Sequence, residues 1–149
     1  MLPPTGNAIP RSLLEGSLPT SNNGGVDGRP RADLRGACVL VVEDHWLVAN
    51  ALRAFLEAEG MKVSGPAATT ADAQRLAMEQ KPDLAIVDIH LKLETTYVLI
   101  HRLIDQGVRV VVLSGYAVLP DLTEKVVAVL QKPFNGPELL RALRCALSP

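Results

Sequence analysis

Leu84-Ala-Ile-Val-Asp88-Ile-His-Leu91 is the stretch that decides the fold. Four uncharged residues run into one aspartate, and largely apolar sequence resumes after it. Burying a carboxylate inside such a run is costly unless something pairs with it. Asp88 is therefore expected where a strand ends, at the mouth of the fold. Glu43 and Asp44 have the same setting, after the apolar run Ala37-Cys-Val-Leu-Val-Val42.

Working outward from these two runs, strands and helices alternate. Ala37–Val42 is followed by a helical pattern over His45–Glu59, with Leu47, Val48, Ala51, Leu52, Phe55 and Leu56 at helical spacing and Gly60 as its stop. Lys62–Pro66 reads as a second strand. Thr69 or Thr70 then caps a helix through Glu79, with Ala73, Leu76 and Ala77 inward. Pro82 breaks that helix and Leu84–Val87 forms the third strand. Thr95 or Thr96 opens a helix carrying Val98, Leu99, Leu103 and Ile104 and ending at Gly107. Val108–Leu113 and Val126–Leu130 are the fourth and fifth strands. A last helix starts at Asn135 or Gly136, with Leu139, Leu140, Leu143 and Leu147 on one face.

This alternation predicts an α/β fold with a parallel sheet and right-handed crossovers. The strands are apolar almost throughout, which suits a sheet covered on both faces. Ligands of such sheets bind at the carboxyl ends of the strands. Glu43, Asp44, Asp88, Ser114 and Lys132 all stand at those ends. Only Gly115–Lys125, with Pro120 inside it, separates strands four and five. A crossover usually takes a dozen or more residues, so the fourth helix is expected to be short, irregular or mobile.

The first 36 residues hold five of the eleven prolines and six of the eleven glycines and no aromatic residue. They are expected to form a disordered extension, because they cannot bury enough apolar surface to offset their ordering entropy. Residues 37–149 are expected to form the folded domain. The hydrophobic fraction of 48% predicts that most of the chain folds, and the net charge of −1 favours neither nucleic acid nor an anionic membrane as partner. No apolar run reaches the roughly 18 residues of a membrane span, and the N-terminus has no secretory pattern. Cys38 and Cys145 are expected to be buried reduced thiols, consistent with a cytoplasmic protein.

Carboxylates gathered at one strand edge repel one another, so they hold protons or are neutralised by a cation. An all-oxygen, partly hydrated site suits Mg²⁺. Acids plus His45 and His90 leave a transition metal as an alternative. With Lys132 as a fixed positive charge and Ser114 as a hydroxyl donor, the set suits phosphoryl transfer. Asp88 itself can be the nucleophile.

Four pieces carry a family likeness: Val39-Leu-Val-Val-Glu43-Asp44, Leu84-Ala-Ile-Val-Asp88, Leu113-Ser114-Gly115 and Gln131-Lys132-Pro133-Phe134. In this order and spacing the chain resembles the receiver domain of bacterial two-component response regulators. The resemblance implies a flavodoxin-like (βα)5 doubly wound sheet with strand order 2-1-3-4-5. It implies Asp88 as phospho-acceptor, with Mg²⁺ held by Glu43, Asp44, Asp88 and the backbone carbonyl of His90. Lys132 then contacts the phosphate, Ser114 is the switch hydroxyl, and Lys132–Pro133 is a cis peptide. The protein would be a signalling phosphoprotein and not an enzyme acting on an external substrate.

Gly65-Pro-Ala-Ala-Thr69, Val112-Leu-Ser-Gly-Tyr116 and Val129-Leu-Gln-Lys-Pro-Phe134 are similar to the single-domain "FAT GUY" subgroup. That likeness implies an HWE-type sensor histidine kinase or a phosphotransfer protein as phosphodonor, and an altered fourth helix. Two positions depart from the pattern. Val129 stands where a switch aromatic is usual, which leaves Tyr116 as a candidate for that role. Around His90 and Lys92 the segment carries charge where the subgroup has Asn and Gly. With no output domain expected after Pro149, output would pass by protein contact or phosphorelay. The rival reading is an interaction module on the same fold that no longer needs phosphate. A phosphatase of the aspartyl-phosphate kind would need an acid two residues after Asp88, and His90 occupies that position.

Overall fold

The computed structural model describes residues 33–115, 122 and 124–148. Within them lie β1 (Cys38–Val42), α1 (Trp46–Ala58), β2 (Lys62–Ala67), α2 (Thr70–Gln80), β3 (Leu84–Asp88), α3 (Tyr97–Asp105), β4 (Arg109–Ser114), β5 (Ala128–Gln131) and α4 (Gly136–Leu147). The strands form one sheet in the order β2-β1-β3-β4-β5, and every pairing is parallel. This is the doubly wound arrangement with the expected strand order. The expected disorder before Ala37 falls mostly outside the described residues. So does most of the link between β4 and β5, where Leu122 is buried and its carbonyl accepts from the Lys125 and Val126 N–H groups.

Alternate strand residues face opposite sides, and two cores result. Val39, Val41, Leu84, Ile86, Val111 and Leu113 pack against Leu52 and Phe55 of α1 and Leu139 and Leu143 of α4. Leu40, Val42, Ala85, Val87, Val110 and Val112 pack against Ala73 and Ala77 of α2 and Leu99, Ile100 and Leu103 of α3. The sheet is thus covered on both faces along its centre. The edge strand β5 is only half-buried.

Local signals set the helix ends. The Thr69 hydroxyl accepts from the Asp72 N–H at 3.1 Å, and the Asn135 side chain accepts from the Glu138 N–H at 2.8 Å. Each satisfies one of the donors left over in a first helical turn. Gly60 follows α1 with φ of +88°, where a side chain would also meet Arg35. Lys132–Pro133 is cis, as the resemblance implied, and Gly65–Pro66 is cis as well.

Three expectations are corrected. Leu47 and Val98 count among the apolar residues that mark the two helices, but both are exposed, at 48% and 64%. Ala49 and Ile100 take those buried places. Cys145 is exposed rather than buried, and Cys38 is half-buried. The fifth strand also begins two residues later than its apolar run, because its ladder to β4 starts at the Val111–Ala128 pair.

Candidate functional site

The site forms where the chain direction across the sheet reverses. From β1 the chain moves outward to β2, then returns past β1 to β3, so the carboxyl ends of β1 and β3 diverge in their connections and leave a crevice. The pairing of Val42 with Val87 puts the next residues, Glu43 and Asp88, side by side. Glu43, Asp44 and Asp88 each bring a carboxylate oxygen within 4.8 Å of the others. Glu43 and Asp88 are buried, and Asp44 is partly exposed.

Lys132, just past β5, closes the other side. Its Nζ donates to Asp88 Oδ2 at 2.9 Å and to Glu43 Oε1 at 3.2 Å. All three side chains are nearly solvent-free, at 5%, 7% and 0% exposure for Lys132, Asp88 and Glu43. The Lys132 N–H donates to the Ser114 carbonyl at 2.8 Å, which extends the β4–β5 ladder and fixes the lysine backbone. Ser114 ends β4 and is buried.

Burial makes the ionised form of Glu43 costly, and the Asp88 carboxylate beside it adds to that cost. Together they push the Glu43 carboxyl up to about 8, with Lys132 pulling the other way. For Lys132, burial acts to lower the ammonium pKa. The adjacent Glu43 and Asp88 outweigh it, so the net direction is upward. In the metal-free protein at neutral pH, Glu43 therefore holds a proton while Lys132 stays charged. The two effects reduce the repulsion between the acids.

The loop after β3 holds Asp88 from the backbone side. The fully buried Thr96 hydroxyl lies 2.8 Å from the Asp88 carbonyl and 3.1 Å from that of Ile89, donating to both. The His90 N–H donates to Asp88 Oδ1 at 3.2 Å. The Lys92 N–H donates to Asp44 Oδ2. Thr96 and Lys92 were not read as site residues from the sequence, because neither a buried threonine nor a backbone N–H leaves a sequence signal.

The residues fit a small divalent cation. The donors are all carboxylate oxygens, and Glu43 Oε2 is buried without a hydrogen-bond partner among the described residues. Hard oxygen donors around a compact site suit Mg²⁺ rather than a thiophilic metal. His45 Nδ1 is also buried without a hydrogen-bond partner among the described residues, but the acid cluster contains no histidine. Tyr116 lies outside the described residues. Val129, at the position of the usual switch aromatic, is half-buried on β5.

The Response regulator receiver domain family profile matches residues 39–144. The chain is similar to the transcriptional regulatory protein LiaR of Bacillus subtilis, 30% identical over 117 residues that make up 72% of this chain and 54% of that protein. It is also similar to the transcriptional regulatory protein PdtaR of Mycobacterium tuberculosis, 30% identical over 116 residues, 74% of this chain and 56% of that one. The chain thus spans about half the length of these relatives. Among solved structures, a Burkholderia pseudomallei response regulator with a phosphorylated aspartic acid, calcium ion and citrate superposes with a TM-score of 0.66. Its identity is 31%, over 72% of this chain and 66% of that one. TrrA of Thermotoga maritima, in complex with Mg²⁺ and BeF, shares the fold, with a TM-score of 0.66 and 19% identity over 74% of this chain and 99% of that one. The strand order, the acid cluster and the family match lead to one conclusion: the chain belongs to the response regulator receiver domain family.

Proposed function

We propose that this protein accepts a phosphoryl group on Asp88 from a histidine kinase or phosphotransfer protein and signals through the changed surface. The observation that carries the reading is the buried contact of Lys132 with Asp88, beside two more acids at the same strand ends. The nucleophile is the Asp88 carboxylate, paired with Lys132, and a carboxylate needs no general base. One of its oxygens attacks phosphorus as the bond from phosphorus to the donor imidazole nitrogen breaks. The bonding pair leaves with that nitrogen. Lys132 neutralises charge on the transferred group, and the Ser114 hydroxyl offers it a hydrogen bond. Glu43, Asp44, Asp88 and the His90 carbonyl would hold Mg²⁺, which when bound neutralises phosphoryl charge.

The finer parts of the reading rest on motif likeness. We place the folded domain at 37–149, with residues 1–36 as an extension, and assign the chain to the single-domain "FAT GUY" subgroup with an HWE-type kinase as donor. Its signal would pass by protein contact or phosphorelay, with Ser114 and Tyr116 as switch residues. Incubation with Mg²⁺ and acetyl phosphate tests the core of this. A base-labile mass gain of one phosphoryl group is expected, and Asp88→Asn should abolish it. An unmodified but folded, metal-bound protein would instead favour a phosphate-independent interaction module. Steady hydrolysis of a phosphoester would favour a phosphatase.

A further inference from the structure

The segment Ile89–Thr96 is a small hairpin standing off the end of β3. Ile89 and Thr96 close its base, with the Thr96 N–H donating to the Ile89 carbonyl at 3.1 Å. His90 and Thr95 pair in antiparallel fashion above them. The Leu91 N–H then donates to the Glu94 carbonyl at 2.9 Å. Ile89 and Leu91 reach into the core, while the tip at Lys92 and Leu93 is exposed. Ile89 and Leu91 thus anchor the hairpin by apolar contact, and polar contacts near its tip add to what sets its lean over the acid site.

Two polar tethers contribute to that lean, one on each side. On the site side, the Lys92 N–H holds the Asp44 carboxylate. On the other side, Glu94 reaches 24 residues back to the first turn of α2. Its Oε1 accepts from the Thr70 N–H at 2.7 Å and its Oε2 from the Thr70 hydroxyl at 3.0 Å. Both bonds are partly buried. Thr69 already satisfies Asp72 in that turn, and Glu94 supplies the acceptor for a second of its spare N–H groups. The negative charge also sits at the favourable end of the helix dipole.

We propose that Glu94 is a positioning residue for the acid site. Through its bonds to Thr70 it holds the hairpin so that Lys92 orients the Asp44 carboxylate and His90 keeps its place beside Asp88. The inference rests on the reading of Glu43, Asp44 and Asp88 as the cation-binding acids. Groups that orient a metal ligand from behind commonly alter affinity by about tenfold to a hundredfold when removed.

The test uses the full chain with Glu94→Ala, Glu94→Gln and Thr70→Val. Amide exchange at Lys92 in metal-free protein reads the tether without any metal or phosphodonor. Trp46 is the chain's only tryptophan, two residues after Asp44 and 68% exposed, so its fluorescence can follow Mg²⁺ binding. Glu94→Ala should speed Lys92 exchange and weaken Mg²⁺ binding, the latter by about tenfold. Glu94→Gln keeps one acceptor and should recover part of both. Thr70→Val keeps the backbone donor and should give a smaller change in the same direction, which carries the test if Glu94→Ala does not fold. A variant that melts earlier yet keeps wild-type Lys92 exchange and Mg²⁺ affinity well below its melting temperature overturns the proposal. Failure of the wild-type chain to accept phosphate overturns the reading of Asp88 but leaves the exchange result meaningful.

Discussion

Replacing Glu43 with Gln is expected to act in opposite directions on the metal-free fold and on metal binding. The Glu43 carboxyl is lifted from its ordinary 4.5 to about 8 by burial and by Asp88 beside it. Between those two pH values the folded protein holds one more proton than the unfolded chain. Stability contributed by that proton is complete below about 4.5 and is lost as pH rises through about 8. At roughly 1.4 kcal/mol per pH unit, the window from 4.5 to about 8 caps the loss at about 5 kcal/mol. The observed change should fall below that ceiling, because the Glu43 proton is not independent of the charges packed around it. Glutamine keeps the shape and carries no proton to lose. Relative to wild type, Glu43→Gln should therefore gain stability steadily from pH 5 to pH 8 in the presence of a chelator.

Mg²⁺ binding should show the reverse. A cation can use Glu43 only after its proton has left, so wild-type affinity should rise with pH toward about 8, and binding should release a proton. Glu43→Gln should bind more weakly, with a flatter pH dependence. Urea unfolding of both proteins at matched pH, with chelator and then with Mg²⁺, separates the two effects. Taking the difference between the proteins removes the titration of every other carboxylate. Parallel stability profiles without metal, or equal Mg²⁺ affinity at pH 8, would falsify the assignment of Glu43 as a protonated, cation-competing acid.

Two further perturbations probe the same centre. Lys132→Met leaves Glu43 and Asp88 buried without their counter-ion, a change that commonly costs about 3–5 kcal/mol. The loss should be smaller at pH 6, where Glu43 is neutral, than at pH 8, and equal losses at both pH values in thermal melts would count against the pairing. Thr96→Val keeps the shape of a fully buried side chain but removes the donor to the Asp88 and Ile89 carbonyls. It should lower stability by about 1–3 kcal/mol, while the exposed neighbour change Thr95→Val should stay within about 0.5 kcal/mol.

The strands were legible because their apolar runs are long and end in punctuation, and because buried parallel strands do not alternate. The helix faces were legible only in part, and Leu47 shows why. At about 100° per residue, the buried Val48, Ala49, Leu52, Phe55 and Leu56 of α1 define one arc, and Leu47 lies about 140° from its centre. Val98 stands about 150° from the arc of Leu99, Ile100 and Leu103 on α3. Hydrophobicity marks both residues as part of the helical pattern, while the helical angle keeps them off the buried face. For the site, strand ends supplied the acids, Ser114 and Lys132. The role of Glu94 was not legible. Its bonds to Thr70 span 24 residues, and before the chain is folded it is one acid among the 16 acidic residues.

Strand order explains why acids so far apart in sequence meet at all. Neighbouring strands lie about 4.8 Å apart, and β1 pairs directly with β3 with Val42 level with Val87. Glu43 and Asp88 are thus one strand spacing apart, which brings their carboxylates within the observed 4.8 Å. Had the sheet been laid down in sequence order, β2 would stand between them. The two backbones would then be about 10 Å apart, and the two acids would no longer be strand neighbours. The same order puts β4 and β5 on the Asp88 side and β2 and α2 on the Glu43 side. Lys132 must therefore come from the half-buried edge at β5, while the hairpin after Asp88 has the start of α2 within reach of Glu94. The crevice, its lysine and its tether are three consequences of one topological fact, the insertion of β1 between β2 and β3.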